Sequence, residues 1–260
     1  MTATQAGLFV AFVVAATTAQ RLTGFAFVLV LLGLAGLFEI APLADLTNVA
    51  TTLSVMGAAG ILRSSRASLD GPAYRDALAG AVLGVVVGVL LLGWLSANVM
   101  TGLRVLLGVT IFACALAMLR PANSLQARSS RLSFRGFGLL CGLLGGLFSA
   151  GGPPLVYHFY RQPLAIETLR TTLLAALTTM SLIRIAAVVA SGQFSMMALK
   201  LTVFGAPVVF VCSWLLRRYP PEVARATVLR LVCMLLLASG AGIVASALFG
   251  PGTPPIPTLK

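Results

Sequence analysis

Acidic residues are nearly missing from this 260-residue chain: six Asp and Glu stand against 18 Lys and Arg, and charged residues make up only 9% of the total. So few charges cannot clothe a water-soluble domain of this length. With 59% hydrophobic residues and a mean hydropathy of +1.02, the chain reads as an integral membrane protein. The net charge of +12 would suit a nucleic-acid partner if it were gathered on one face, but the basic residues sit between apolar runs, which excludes that reading. Cysteine is scarce and unpaired. Cys114, Cys141, Cys212 and Cys233 fall singly inside apolar runs with no C-x-x-C spacing, so neither a disulfide framework nor a metal centre is supported, and no cofactor is expected. A basic n-region is absent from the first twenty residues and the apolar stretch there outruns an h-region, so no signal peptide is evident and this segment reads as part of the fold.

What is abundant is long apolar sequence. Charge-free runs recur at 1–20, 22–38, 46–62, 77–103, 136–160, 185–199, 201–216 and 231–249, and a membrane span needs about 20 such residues. Thirteen of the 18 basic residues fall into four inter-span loops: Arg63, Arg66 and Arg75; Arg120, Arg128, Arg131 and Arg135; Arg161 and Arg170; Arg217, Arg218, Arg225 and Arg230. The connections near 38–45, 96–101 and 191–195 hold none, so the positive-inside rule places the four rich loops in the cytoplasm.

That assignment puts both ends of the segment from Arg135 to Arg161 on the cytoplasmic side, so it must enter and return. Its 25 charge-free residues would form two arms of roughly 19 Å, each reaching just past the middle of a ~30 Å layer. The break is expected at Ser149-Ala150-Gly151-Gly152-Pro153-Pro154, where glycines free the backbone and prolines remove donors. Residues 4–38 receive the same reading, with a break at Gln20-Arg21-Leu22-Thr23-Gly24-Phe25. Each half then has a broken, re-entrant pair followed by three spans, at about 45–63, 73–95 and 99–119, and about 168–190, 196–216 and 227–249. The expected fold is all-α, with two inverted-topology membrane repeats at 1–120 and 136–260, a cytoplasmic basic linker at 121–135, and both termini extracytoplasmic. Short echoes accompany the repeat: Val49-Ala50-Thr51-Thr52-Leu53 against Leu169-Arg170-Thr171-Thr172-Leu173, and Leu103-Arg104 against Leu229-Arg230.

Arg21 is the most informative residue, because a guanidinium keeps its proton and no acid lies beyond the first turn of a span to pair with it. A small anion would supply the partner, with Gln20, Thr23 and Gly24 beside it and the positive ends of broken helices adding to the site. The alternative is a structural Arg bound to carbonyls at the break. Ser149, Gly151, Gly152 and Pro153 form the second wall, as a helix interruption that frees backbone groups or as a simple kink. Asn48, Thr51, Thr52, Thr171 and Thr172 sit early in the first full span of each half, where they would face the ligand or satisfy themselves on the preceding turn. Arg184, roughly 10 Å along the helix from its outer end, reads first as a snorkelling side chain and second as a ligand contact. His158, beside Tyr157, is the only imidazole and a candidate for a coupling proton, though its place near the cytoplasmic end favours an interfacial belt. Gly80, Gly84 and Gly88, spaced by four, form a stripe for close helix packing. An enzyme is excluded: Ser149 and His158 share one broken segment and no carboxylate is placed to orient the imidazole.

The run Gly142-Leu143-Leu144-Gly145-Gly146-Leu147-Phe148-Ser149-Ala150-Gly151-Gly152-Pro153-Pro154-Leu155-Val156 resembles the glycine-rich repeat of the sulfite exporter TauE/SafE family. The order of segments follows the same plan over nearly the full length. The resemblance implies a secondary transporter in the cell membrane for small sulfur-containing or organic anions: sulfite, sulfonates such as sulfoacetate, or related carboxylates. The first repeat departs from the family's usual richness in glycine, carrying Arg21-Leu22-Thr23-Gly24-Phe25 instead. The residue-level reading therefore expects an alternating-access anion transporter whose partners are the anion and the bilayer. Its rival is a transporter of neutral or cationic solutes in which Arg21 is structural.

Overall fold

A computed structural model describes residues 3–23, 25–38, 40–64, 69–119, 125–149, 151–219, 233–234, 236–238 and 240–245. No strand occurs among them. The helices are α1 (Ala3–Thr23), α2 (Phe27–Leu37), α3 (Leu43–Ser64), α4 (Gly71–Asn98), α5 (Met100–Leu119), α6 (Arg131–Phe148), α7 (Gly152–Tyr160), α8 (Ile166–Ala190) and α9 (Met196–Arg218). A further helical stretch, α10, lies within Leu236–Ala245. The expected span at 227–249 is only partly covered, and Arg66, Arg120, Arg225 and Arg230 lie outside the described residues.

Both expected breaks are present, but the arms are unequal. α1 has 21 residues and α2 has 11; α6 has 18 and α7 has 9. At 1.5 Å per residue the first arms run about 31 and 27 Å and the second about 17 and 14 Å. The equal short arms read from the sequence are thus corrected. α6 starts at Arg131 because Ser130 caps it, its Oγ accepting the Ser133 N–H at 3.3 Å. Basic residues assigned to the linker therefore sit on the first turns of a helix. α7 opens with Pro153 and Pro154, which lack the N–H groups that a first turn leaves unpaired anyway. The prolines start the second arm, while the interruption itself falls at Ser149, a non-glycine residue with φ of 53°.

The glycine stripe on α4 meets a second one on α6. A Cβ added at Gly88 would lie 2.5 Å from the Leu143 carbonyl oxygen, and one at Gly146 2.5 Å from that of Val85. Gly80, Gly84, Gly138 and Gly142 likewise leave no room for a methyl group against the facing backbone. The register rises together on both helices, so they run parallel, and both begin at one end where Arg128 pairs with Asp70 at 2.7 Å and Arg135 with Asp76 at 3.3 Å. Such seams are how helices associate in lipid, where burying apolar surface against a neighbour gains little over burying it in acyl chains.

This seam carries α4 out of the first half, against α6 and α8, and α9 crosses the other way onto α1 and α3. α5 packs on α7, and α10 on α2 through Ile243 at Gly36. α3 meets α8, and α5 meets α10 at Gly108 and Gly240. Exchanging the two halves maps every one of these pairings onto another in the set or onto itself. α2 is apolar all round and buried from Phe27 to Gly33, the pattern of a central helix. Outward-facing Leu83, Val87, Leu90 and Trp94 of α4 and Val203, Phe210 and Trp214 of α9 are exposed, a surface suited to lipid.

The seam sets an expectation. Gly84→Ala forces a Cβ into the α6 backbone, whereas Gly136→Ala points into open space and gains helix propensity. Overpacking costs about 1–3 kcal/mol. The melting temperature in detergent should fall by about 5 °C or more for Gly84→Ala and stay level or rise for Gly136→Ala.

Candidate functional site

The two breaks border one cavity of about 50 Å³, room for a few waters at about 10–15 Å³ each. Gln20, Phe25 and Val28 line it from the first break, and Ser149, Gly151 and Gly152 from the second. Ser54, Val55 and Ala58 of α3, Val85 of α4, Cys141 and Gly145 of α6 and the α8 face from Leu174 to Ser181 complete it. The positions on α3, α4 and α8 lie near the middle of their helices. No acidic side chain is among the lining residues.

On the first wall the neutral residue, not the charged one, faces the space. Gln20 is 2% exposed, and its Nε2 donates to the Ser54 carbonyl at 3.0 Å and to Ser54 Oγ at 3.1 Å. Arg21, one residue on, is half-buried and outside the lining, and Arg217 at the end of α9 acts on it as a like charge. Thr23 is a cap: its hydroxyl donates to the Ala19 carbonyl at 2.7 Å and accepts the Ala26 N–H at 3.2 Å, closing α1 and opening α2. Gly24 lies outside the described residues.

On the second wall, Ser149 turns the chain in the left-handed region, its N–H bonded to the Gly145 carbonyl at 2.8 Å. Gly151 has no space for a side chain, since a Cβ would collide with the Cys141 carbonyl and lie 2.9 Å from Cys141 Sγ. Gly152 rests on the Phe25 ring of the other break, with a Cβ position 3.4 Å from it. Pro153 is buried and starts α7, whose N-terminal end, the positive end of its dipole, is at the cavity.

Arg184 does not snorkel. It is 2% exposed and turned inward, its Nε donating to the Gly146 carbonyl at 3.0 Å and its Nη1 to Asn48 Oδ1 at 3.0 Å and Thr51 Oγ1 at 3.1 Å. The reason is the end of α6. Gly146 carries one of the last carbonyls of that helix, which have no partner in it, and the helix C-terminus attracts a cation. Thr51 also contacts the Ser149 hydroxyl and donates to the Thr47 carbonyl at 2.6 Å. Asn48 donates to the Gln193 carbonyl at 3.0 Å, and Thr52 bonds back to the Asn48 carbonyl at 2.9 Å.

Thr171 and Thr172 do not mirror Thr51 and Thr52. Thr172 Oγ1 accepts the Asp70 N–H at 2.9 Å at the start of α4, and neither residue lines the cavity. His158 is buried, stacked on Phe137 at 4.3 Å and edge-on to Phe134 at 4.6 Å, so it is a packed core group and not part of an exposed belt. It too lies outside the cavity lining.

Of the four hydroxyl residues that line the cavity the sequence reading picks out Ser149 and misses Ser54, Thr178 and Ser181. A second echo marks them, because Thr51-Thr52-Leu53-Ser54 matches Thr178-Thr179-Met180-Ser181 in three of four residues. On that register Gly57 corresponds to Arg184. A Cβ at Gly57 would lie 2.6 Å from Gln20 Oε1, while Arg184 reaches Gly146, so each half sets one long polar side chain against one glycine.

A family model described as Sulfite exporter TauE/SafE matches residues 8–243. The chain belongs to the sulfite exporter TauE/SafE family. It is also 33% identical over 235 residues to the probable sulfite/organosulfonate exporter TauE of Cupriavidus necator, covering 90% of this chain and 91% of the relative. No solved structure matches it. As a member of this family the chain is a multi-pass membrane transporter and not an enzyme.

The second wall offers a paired test. Gly151→Ala should lower the melting temperature by about 5 °C or more, as an overpacked backbone contact does. Gly152→Ala, which makes only ordinary contact with Phe25, should shift it by about 2 °C or less. Equal effects would mean the break is not held by the Gly151 contact.

Proposed function

We propose that the chain exports small sulfur-containing anions, sulfite or sulfonates such as sulfoacetate, by alternating access through the cavity between the breaks. Related carboxylates fall in the same class. The observation that carries this reading is the convergence of both breaks on one space lined by Gln20, Ser54, Ser149, Thr178 and Ser181, with the α7 N-terminus and no carboxylate. Amide and hydroxyl donors with a positive helix end suit oxyanion oxygens and would leave a cation without a counter-charge. The family and the name of the Cupriavidus necator relative support the substrate class and the direction. The matched pairing of α4 with α6 and α8, and of α9 with α1 and α3, supports two inverted repeats that rock about the cavity, and the placement of the arginines supports both termini outside.

The binding test uses thermal stability of purified protein in detergent with sulfite, sulfoacetate, taurine, lactate, phosphate and neutral analogues. A ligand at about 100 times its Kd adds about 2.7 kcal/mol, a rise of several degrees. Sulfite or sulfoacetate should give that rise, Gln20→Ala should abolish it, and Arg21→Gln should keep it. The reverse ranking would return Arg21 to the site; stabilisation only by neutral or cationic solutes would replace the anion reading.

Topology is tested by cysteine labelling. Asn98→Cys and Gln193→Cys should react from outside, and Arg128→Cys and Pro221→Cys from the cytoplasm. An exchange of sides between 193 and 221 would end the inverted-repeat reading.

A further inference from the structure

Arg184 is the largest fully buried side chain among the described residues, and every acceptor it has is neutral. Nε and Nη1 are used, while Nη2 is buried with no partner among the described residues. The residue lies one turn beyond Met180 and Ser181, which line the cavity, toward the α8 end at Ala190. On the proposed topology this is the outward side. Asn48 and Thr51 stand on the same side of Ser54 along α3. We propose that Arg184, Asn48 and Thr51 form an anion-exchangeable latch on the outward side of the cavity, and that a leaving sulfite or sulfonate passes by replacing Asn48 and Thr51 as acceptors of the guanidinium. This rests on the anion-export reading.

The chemistry favours exchange. An anionic oxygen adds charge attraction to the hydrogen bond that an amide or hydroxyl oxygen accepts from a guanidinium, and two sulfonate oxygens can take the planar fork together. Nη2 supplies two N–H groups for the incoming ligand without breaking any bond first. Neutral partners also keep the closed latch weak enough to open, which a carboxylate at either position would not.

The latch is wired to the cavity at one end and the outer connection at the other. Thr51 has one proton, committed to the Thr47 carbonyl, so in its contact with Ser149 it is Ser149 that donates. Once Thr51 moves, the Ser149 hydroxyl is free to turn to an anion in the cavity. At the other end Asn48 holds the Gln193 carbonyl, and Ser195, two residues on, donates to Asp45 Oδ1 at 2.6 Å. Releasing Asn48 from Arg184 therefore loosens the connection between α8 and α9. The inward counterpart, Gln20 against Gly57, has no charge, so the latch is one-sided.

The test uses reconstituted full-length protein and whichever of sulfite and sulfoacetate the wild type moves faster. Asn48→Asp sets a carboxylate where the amide oxygen lies 3.0 Å from Nη1 and should lock the latch. Efflux should fall at least tenfold while the melting temperature is not lowered and the anion still raises it. Asn48→Ala, which frees Nη1 where Asn48→Asp holds it, should retain at least threefold more efflux than Asn48→Asp. Asn48→Asp at the wild-type rate, or equal losses in both variants, would overturn the latch alone. A wild type that moves neither anion would overturn the export reading and the latch with it. An independent measurement covers misfolding of Asn48→Asp: outside labelling of Gln193→Cys by an impermeant methanethiosulfonate should be at least threefold faster with sulfoacetate than with chloride at equal ionic strength. An unchanged rate would also refute the latch.

Discussion

Two helices whose backbones touch organise this protein. Lipid gives a helix little reason to leave acyl chains for another helix, so association depends on close contact, and six glycines on α4 and α6 provide it over three turns of each. Because the seam joins a helix of the first half to one of the second, the halves are interleaved. The broken segments are thereby brought face to face, with the Phe25 ring on Gly152 and Gln20 across the cavity from Ser149. The site is a product of that interleaving and belongs to neither half alone.

Much of this was legible in the sequence because membrane helices obey a one-dimensional rule. Apolar length and the placement of arginines located α3, α4, α5, α8 and α9 to within a few residues, and glycine with proline located the second break. The arms were misjudged because charge was taken to mark a helix end, whereas Ser130 caps α6 ahead of Arg131 and Arg135. The hydroxyls were misregistered because Thr51-Thr52-Leu53 matches Thr171-Thr172-Leu173 in as many residues as Thr51 to Ser54 matches Thr178 to Ser181. The two arginines are the clearest case. Position along a helix set where Arg21 falls in α1 and Arg184 in α8, but the direction of each side chain depends on what it meets, and the end of α6 that receives Arg184 belongs to a distant part of the chain.

Arg184 also illustrates how a charge can stay buried without a carboxylate. Each hydrogen bond from a charged donor contributes about 1.5–3 kcal/mol, and removing a cation from water costs several. Three such bonds and the negative end of α6 bring the sum close to balance. An arginine held on so even a footing adds little to stability, and its retention is better understood through what it does. Ser149 belongs to the same economy, since a left-handed serine costs of order 1 kcal/mol that a glycine would not.

The exchange of α4 and α9 between halves also orders events in time. α4 leaves the ribosome before α6 exists, so it must remain in the bilayer with its glycine face bare until its partner arrives. Its mean hydropathy is 2.5, against 1.2 for α6, which joins a partner already in place. Within this pair the hydropathy matches how long each helix must wait, so a more polar α4 is penalised at insertion even where the finished seam could accommodate it.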